Sequence, residues 1–300
     1  MNERLLQDTA LRYFLEVVRS GSINKASVKL HVAPSAISRQ IARLETELKT
    51  QLFERRASGM QLTASGELLA AHARRVRLEA SKIMGEIMAL EGVHRGTVHL
   101  ASVEGLATDF LPYVISRFRQ RYAGIHFDLW VCPAAEVTQR VREGNADIGL
   151  TLSMTPQRDI KVEKRLKAPI NAIVSTRHPL ATKEKISLVQ LTSYPLALPY
   201  ADSSIRTLFD VSCSRQGLVL EPVLFSNYMN ALVNFALNDG GVALFGELSV
   251  RHRLDHENLV VIPIKDRELS SRYIEIQTLA DRLLPKSVAT FLGDVCQMMS

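Results

Sequence analysis

The chain has 300 residues, of which 46% are hydrophobic and 23% charged. This composition is typical of globular proteins, and the length favours more than one domain. No run of about 18 apolar residues occurs, so we expect no membrane span, and the charged N-terminus is unlike a secretory signal. The three cysteines, Cys132, Cys213 and Cys296, lie far apart, which argues against a disulfide framework and fits a reducing cytoplasm.

The net charge of +6 is unevenly distributed along the chain. Residues 1–66 hold ten basic and six acidic side chains, so a net charge of +4 lies in the first fifth of the sequence. This indicates a polyanionic partner for the first part of the chain. A merely basic surface would give the same count, and charge alone leaves both interpretations open.

Three short helices are predicted at the N-terminus. Apolar spacing over residues 9–19 indicates the first helix, Gly21 ends it, and Ser22 is placed to cap the second. A turn at residues 31–32 leads to a third helix with Pro34 in its first turn. Two helices joined by a tight turn behind a supporting helix are the parts of a helix-turn-helix. The inward face of the third helix is predicted to be Ala36, Ile37, Ile41, Leu44 and Leu48.

The next segment predicts a wing and a long helix. Residues 54–62 are polar, basic and too few for a helix, so we expect a small hairpin or loop. The long helix over residues 64–92 has an apolar period of 3.5 residues kept for three heptads, which predicts a coiled-coil seam between two copies. Packing within one globular unit is the alternative. The seam residues are Leu69, Ala73, Val76, Ala80, Ile83, Ile87 and Leu90.

From Gly96 onwards, predicted strands alternate with predicted helices, which is typical of βαβ units and a parallel sheet. The alternation starts again near Ile170. We therefore predict two α/β subdomains, the first formed by residues 95–165 with 268–300 and the second by residues 166–267.

The first 66 residues resemble the signature of LysR-type transcriptional regulators. The residues that match are Gly21, Ser22, Ala26, Leu30, Val32, Ala36, Ser38, Gln40, Ile41, Leu44, Glu45, Leu48, Leu52, Phe53, Arg55, Leu62, Thr63 and Gly66. Weaker matches at residues 111–112, 144–150, 178–181 and 240–243 extend the resemblance along the chain. In the second half of the resemblance, the sequence departs from the family pattern at Gly105, where many relatives have Ser or Thr, and at Gly246, where proline is usual.

The resemblance implies a three-part α + α/β organisation. Residues 1–63 would form a winged helix-turn-helix that binds double-stranded promoter DNA, and residues 64–94 a coiled-coil linker helix that dimerises. Residues 95–300 would form a periplasmic-binding-protein-like domain that binds a small-molecule effector between its two subdomains. The family plan also implies a homodimer or homotetramer and makes RNA polymerase a candidate partner.

The candidate DNA-binding residues lie on the second and third helices and the wing. A compact first turn at Pro34 would let the third helix approach the major groove, where Arg39 would reach a base edge or a phosphate. Arg43 lies one turn further on, suited to a phosphate or to an intrahelical ion pair. A solvated basic face is the alternative, and Ala33-Pro34 replaces a Ser/Thr-Gln pair that often reads adenine in the family. The expected set is Lys25, Pro34, Ser35, Ser38, Arg39, Arg43, Arg55 and Arg56, with Lys29 as a further candidate.

Candidate effector-binding residues follow from the sheet topology, because ligands of open α/β sheets lie beyond the carboxyl ends of the strands. This rule selects Ser102, Val103, Glu104 and Gly105 in the first subdomain and Ser203 and Ser204 in the second, with Asn227 and Phe245 as further lining. The two serines are equally suited to capping a helix. Gly105 beside an acidic residue makes a simple carboxylate effector a weaker expectation.

Other functions have less support in the sequence. The chain has no HExxH, GxSxG, P-loop or GxGxxG motif, and its histidines are scattered, so we predict neither an enzyme nor a metal or cofactor site. A redox-responsive regulator of the same fold that uses Cys213 is the alternative function. Cys213 lies on an apolar-spaced helix without a near partner, which favours a buried structural thiol.

Overall fold

A computed structural model describes residues 8–56, 59–90, 96–153, 157, 159–201, 203–254 and 256–299. The chain separates into two compact units. The first comprises Met1–Arg95 with Arg282–Lys286, and the second comprises Gly96–Asp281 with Ser287–Ser300. The limits of the three predicted parts stay a prediction.

The first unit contains three short helices, a hairpin and a long helix. In chain order these are α1 (Thr9–Ser20), α2 (Ile23–Leu30), α3 (Pro34–Leu48), β1 (Phe53–Arg56), β2 (Gly59–Leu62) and α4 (Ala64–Leu90). The two strands pair antiparallel, as a wing requires. Gly21 ends α1 in the left-handed conformation with φ 65°, and His31 ends α2 in the same way with φ 56°. Ser22 occupies the N-cap of α2, but among the described residues its side chain accepts no capping hydrogen bond.

The core of the first unit forms where α1, α2 and α3 meet the start of the hairpin. Phe14, Ile37 and Leu52 are fully buried, and the rings of Phe14 and Phe53 lie 5.2 Å apart. On α3, Ile37 and Ile41 point inward as predicted. Leu48 is 49% exposed, so its predicted inward position was wrong: the face drifts away from the core over the last turn.

The second unit contains two five-stranded sheets. The first sheet holds β3 (Gly96–Ser102), β4 (Ile125–Val131), β5 (Ile148–Ser153), β6 (Ile160–Lys167) and β12 (Tyr273–Leu279), in the order β4-β3-β5-β12-β6. The second sheet holds β7 (Ile170–Ser175), β8 (Leu196–Pro199), β9 (Leu224–Ser226), β10 (Val242–Gly246) and β11 (Leu259–Pro263), in the order β11-β7-β10-β8-β9.

Eight helices of the second unit accompany these sheets among the described residues. They are α5 (Glu104–Ala107), α6 (Phe110–Arg121), α7 (Ala134–Arg142), α8 (Leu188–Leu191), α9 (Ser204–Gln216), α10 (Met229–Leu237), α11 (Arg251–Leu254) and α12 (Lys286–Met298). Short 3₁₀ turns at Glu247–Ser249 and Arg267–Ser270 complete the described elements.

The sheets are mixed, so the prediction of parallel sheets was wrong for part of each. β3, β4 and β5 are parallel to one another, as are β8, β9 and β10. However, β12 runs antiparallel to β5 and β6, and β7 runs antiparallel to β10 and β11. The physical reason lies in the two crossings between the sheets, from β6 to β7 and from β11 to β12. The strand that enters each sheet from a crossing, β7 or β12, runs against the other strands of that sheet.

Candidate functional site

The exposed face of α3 begins at Pro34, which occupies the first turn. Pro34, Ser35 and Arg39 are exposed, and Ser38 is half-buried. The N-cap residue Ala33 has no side-chain acceptor, so it cannot cap the N–H groups of the first turn with its side chain. Such a helix end can donate to the phosphate of a nucleic acid.

The two arginines of α3 differ in their partners. Arg39 is exposed and makes no ion pair among the described residues. Arg43 donates from Nε to Oε1 of Glu47 at 2.8 Å, and this hydrogen bond raises the pKa of Arg43. The intrahelical partner predicted for Arg43 is therefore present. Arg39 is the arginine of α3 that remains available to contact another molecule.

Basic side chains on α2 and the wing show the same contrast. Lys25 is exposed, whereas Lys29 lies 3.5 Å from a carboxylate oxygen of Glu16. On the wing, Arg56 forms an ion pair with Glu54 at 2.8 Å. The predicted contact of the Arg55 side chain lies outside the described residues.

Hydrogen bonds donated by backbone N–H groups of the hairpin segment hold the wing against the helices. Glu45 of α3 accepts at Oε1 from the N–H groups of Leu52, at 2.8 Å, and Phe53, at 3.4 Å. The carbonyl of Gly21 accepts from Met60 N at 2.9 Å. A β-carbon at Gly59 would lie 2.6 Å from that same carbonyl oxygen, so the hairpin approaches the end of α1 as closely as a glycine permits.

In the second unit, the segment that follows β3 forms a hydrogen-bonded contact between the two subdomains. Ser102 is buried and donates to the carbonyl of Val103 at 3.0 Å. Glu104 Oε1 accepts from the backbone N–H of Met229, the first residue of α10, at 2.9 Å. Partial burial raises the pKa of Glu104, while hydrogen bonds from the backbone of Met229 and Asn230 oppose that rise. A carboxylate of the first subdomain thus occupies the N-terminus of a helix of the second.

Gly105 lies against the loop that follows β10. A β-carbon at position 105 would be 2.5 Å from Oγ of Ser249 and 3.5 Å from Sδ of Met229. The Ser or Thr that many relatives have here would therefore require Ser249 to move. The sequence analysis did not select Met229 or Ser249. The nearest signal to Ser249 was the resemblance to the family at residues 240–243, at the start of β10.

The predicted residues of the second subdomain have separate surroundings. Ser203 accepts from Ile205 N at 3.2 Å and so caps α9, which is the alternative that the sequence left open. Ser204 is half-buried in the first turn of that helix, and Asn227 is exposed before α10. Phe245 is 5% exposed within the core of the second sheet, which leaves little of its surface for a ligand.

Arg272 is a buried residue that sequence reasoning missed. It directly precedes β12, is 2% exposed, and donates from Nε to the carbonyl of Ala168 at 3.1 Å. Burial lowers the pKa of Arg272 to about 10. The only sequence signal was an arginine placed immediately before a buried strand.

A separate cavity of about 350 Å³ opens elsewhere in the second unit. Its lining comprises Phe110, Tyr113, Arg117, Leu248, Arg251 and Met298, none of which belongs to the predicted effector set. Within the described ranges, no three His, Cys, Asp or Glu residues are grouped to hold a metal ion. No helix in the same ranges combines the length and apolar character needed to cross a membrane.

The cysteines are buried or half-buried thiols. Burial raises the pKa of Cys213 to about 11 and also raises the pKa values of Cys132 and Cys296. At neutral pH these side chains are therefore overwhelmingly protonated, and the thiol form is a poor nucleophile.

A winged helix-turn-helix joined to a two-sheet unit of the periplasmic-binding-protein type defines a class of DNA-binding proteins with an effector-binding domain. Residues 9–67 match the family model for the bacterial regulatory helix-turn-helix protein, lysR family, and residues 91–297 match the LysR substrate binding domain. The chain belongs to the LysR family of transcriptional regulators.

Individual relatives agree with this assignment. The transcriptional dual regulator GltC of Bacillus subtilis is 33% identical over 209 residues, covering 69% of each chain. A full-length OxyR variant of Pseudomonas aeruginosa has a TM-score of 0.69 at 19% identity, covering 96% of this chain and 97% of the other. The effector binding domain of QuiR in complex with shikimate has a TM-score of 0.54 at 18% identity, covering 68% and 96%. At these identities, the two structures show a shared fold alone.

Proposed function

We propose that the protein binds specific promoter DNA through α3 and the wing, and that a small molecule between the two subdomains alters the geometry of that binding. The observation that carries the DNA claim is Arg39, an exposed arginine on α3 without an ion pair among the described residues. The proposed contact set is Lys25, Pro34, Ser35, Ser38, Arg39, Arg43, Arg55 and Arg56. Because the target is chromosomal DNA, we place the protein in the cytoplasm.

We further propose that the protein acts as a homodimer or homotetramer with α4 as the dimerisation helix. One winged helix covers too few base pairs for specificity, and pairing α4 would set the spacing of two half-sites. Of the predicted seam residues, Ile83 and Ile87 are 39% and 37% exposed, whereas Ala73 and Ala80 are buried within the single chain. RNA polymerase is a further proposed partner of such a promoter-bound assembly.

The proposed effector site lies between the subdomains, near the residues that follow β3. The hydrogen bond from Met229 N to Glu104 links the two subdomains there. An effector changes DNA binding only if it favours one arrangement of the subdomains over another. It would do so by strengthening or breaking contacts between them, such as the hydrogen bond between Met229 and Glu104. The complex of QuiR with shikimate supports a small molecule as the effector class.

The alternatives have weaker support. The matched families and GltC are regulators rather than enzymes, which favours a function without catalysis. The likeness to OxyR raises the redox alternative, but the high pKa of Cys213 and its burial favour a structural thiol. We therefore propose effector binding rather than thiol oxidation as the signal.

An electrophoretic mobility shift with the DNA upstream of the protein's own gene tests the DNA claim. We expect binding at about 50 mM salt that weakens by about 10³-fold or more at about 200 mM if six or more phosphates are contacted. Arg39→Ala should weaken specific binding by about tenfold to a hundredfold. Arg177→Ala is the matched control, because this exposed arginine lies in the second unit and pairs with Asp239. Absence of specific binding at low salt would overturn the proposal.

A further inference from the structure

Arg272 carries a buried charge with an incomplete set of partners. Its Nε donates to the carbonyl of Ala168, but Nη1 has no hydrogen-bond partner among the described residues. A buried guanidinium has five N–H donors to satisfy, and leaving a buried charge unpaired is costly. Arg272 is therefore a buried cation whose hydrogen-bonding capacity is only partly used by the described residues.

No carboxylate of the described residues offsets this charge. The two acidic residues nearest in sequence have other partners, because Glu268 pairs with Arg215 and Glu275 lies 3.4 Å from Arg165. Burial lowers the pKa of Arg272, whereas a neighbouring carboxylate would raise it. Nη1 of Arg272 therefore has no counter-ion among the described residues.

The guanidinium lies where the parallel strands of both sheets end. Arg272 precedes Tyr273, which pairs with Ser153 at the carboxyl end of β5. A β-carbon at Gly246, the last residue of β10, would lie 2.9 Å from Nη2 of Arg272. Ligands of open α/β sheets bind beyond such strand ends, so Arg272 lies at the position that the topology favours for the effector.

The glycine at position 246 leaves space for the guanidinium of Arg272. Proline is usual there in the family, and any side chain at this position would press against a guanidinium that is buried and bonded to Ala168. At the other strand end, Glu104 already fills the N-terminus of α10 with a carboxylate of the protein itself. Arg272 is thus the buried cation near these strand ends that an incoming anion could neutralise.

We propose that Arg272 binds an anionic group of the effector, a carboxylate or a phosphate, through Nη1. The inference deepens the proposed function and rests on its effector cleft. A guanidinium recognises either group through charge-assisted hydrogen bonds, and the planar fork allows two bonds to one anion. Neutralising the buried charge would also couple binding to the junction between β6, β7 and β12, where the two subdomains are joined.

Thermal unfolding of the full-length protein tests this proposal with two probes, sodium shikimate and inorganic phosphate. Sodium chloride at matched ionic strength is the reference for both. We expect at least one probe to raise Tm by about 3–6 °C at ten times its Kd. Shikimate reports a carboxylate subsite and phosphate reports a phosphate subsite.

Arg272→Met should abolish that rise. It should also give a ligand-free Tm equal to or above that of the wild type, because replacing an unpaired buried charge with an apolar side chain is neutral or stabilising. Arg177→Met, at the exposed arginine paired with Asp239, should leave the rise unchanged. A second pair of variants separates charge from shape: Arg272→Lys should keep part of the rise and Arg272→Gln should lose it.

Three results would overturn the proposal: no rise in wild-type Tm with either probe, an equal rise in the Arg272 variants, or a lower ligand-free Tm for Arg272→Met. The mobility shift separates this failure from failure of the proposed function. If wild type and Arg272→Met both bind DNA without a probe, only the anion site has failed. If wild type does not bind DNA, the proposed function itself has failed.

Discussion

The carboxylate of Glu104 accepts a hydrogen bond from the backbone N–H of Met229 at 2.9 Å, and these residues are 125 positions apart in the chain. Glu104 begins the helix after β3, and Met229 begins α10 of the other subdomain. The bond satisfies a helix-end donor with a negative charge, which is the favoured sign at a helix N-terminus. It is therefore a direct link between the two halves of the proposed effector-binding domain.

Glu104→Ala should destabilise the second unit by about 1 kcal/mol, because it removes this hydrogen bond from a half-buried site. Glu104→Gln should lose less, since its amide oxygen can still accept from Met229. Urea denaturation of the full chain measures both free energies of unfolding. Glu136→Ala is the control, because Glu136 lies on α7 within one subdomain and pairs with Arg140. Equal losses for the Ala and Gln variants would contradict a role for the hydrogen bond.

The effect of Glu104 should also depend on pH. Its pKa is raised in the folded protein, so the folded state binds the proton more tightly than the unfolded chain. Proton binding by Glu104 therefore adds to the free energy of unfolding. This contribution is fully present below the ordinary pKa of 4.5 and is lost as the pH rises through the raised pKa of the folded protein. Glu104→Gln should flatten the pH dependence of Tm over that window. An unchanged profile would show that another group sets it.

Gly105→Ser should destabilise the protein by about 1–3 kcal/mol, because its β-carbon would meet Oγ of Ser249 at 2.5 Å. Ser249→Ala removes that oxygen, so the double variant should recover part of the loss, and a double-mutant cycle measures the coupling. Gly293→Ser on α12 is the matched control. Apart from the adjoining residues and backbone of its own helix, no described residue lies within 4 Å of a β-carbon there. Additive effects would mean that the two residues do not compete for the same space.

Local sequence signals predicted the elements whose ends are set by neighbouring residues. In α9 (Ser204–Gln216), for example, Ser203 caps the start and Gly217 ends the helix with φ 64°. β6 has a weaker strand signal, since its sequence, IKVEKRLK, carries charges on both faces. It lies at the edge of the first sheet and needs no apolar alternation to pair with β12.

The candidate site was predictable where topology alone determines position. The rule that ligands lie beyond strand ends selected residues 102–105, and Glu104 does lie at the junction of the subdomains. Met229, Ser249 and Arg272 were missed because each reaches this region through tertiary packing that has no local sequence signature. The departures at Gly105 and Gly246 from the family pattern were visible in the sequence. The atoms that a β-carbon would meet there, on Ser249 and Arg272, were not.

Cys213 should be unreactive toward a thiol reagent in the folded protein at pH 7. With a pKa of about 11, only about one thiol in 10⁴ is ionised there, and the side chain is buried besides. The rate of modification in a Cys132→Ser, Cys296→Ser background should rise about tenfold for each pH unit. Unfolding in urea should remove the protection. Modification within minutes at pH 7 would restore the redox alternative.

Glu45 should determine the position of the wing. Its carboxylate accepts from the backbone N–H groups of Leu52 and Phe53, so Glu45→Ala should cost about 1.5–3 kcal/mol and free the start of the hairpin from α3. Glu47→Ala, two residues away on the same helix, removes only the exposed ion pair with Arg43 and should cost about 0.5 kcal/mol or less.

Urea unfolding gives both free energies, and the mobility shift at low salt gives DNA affinity. Because a displaced wing contributes less to the DNA surface, Glu45→Ala should weaken DNA binding, whereas Glu47→Ala leaves Arg43 free and should not. Equal affinities for the two variants would show that the wing is positioned by other contacts.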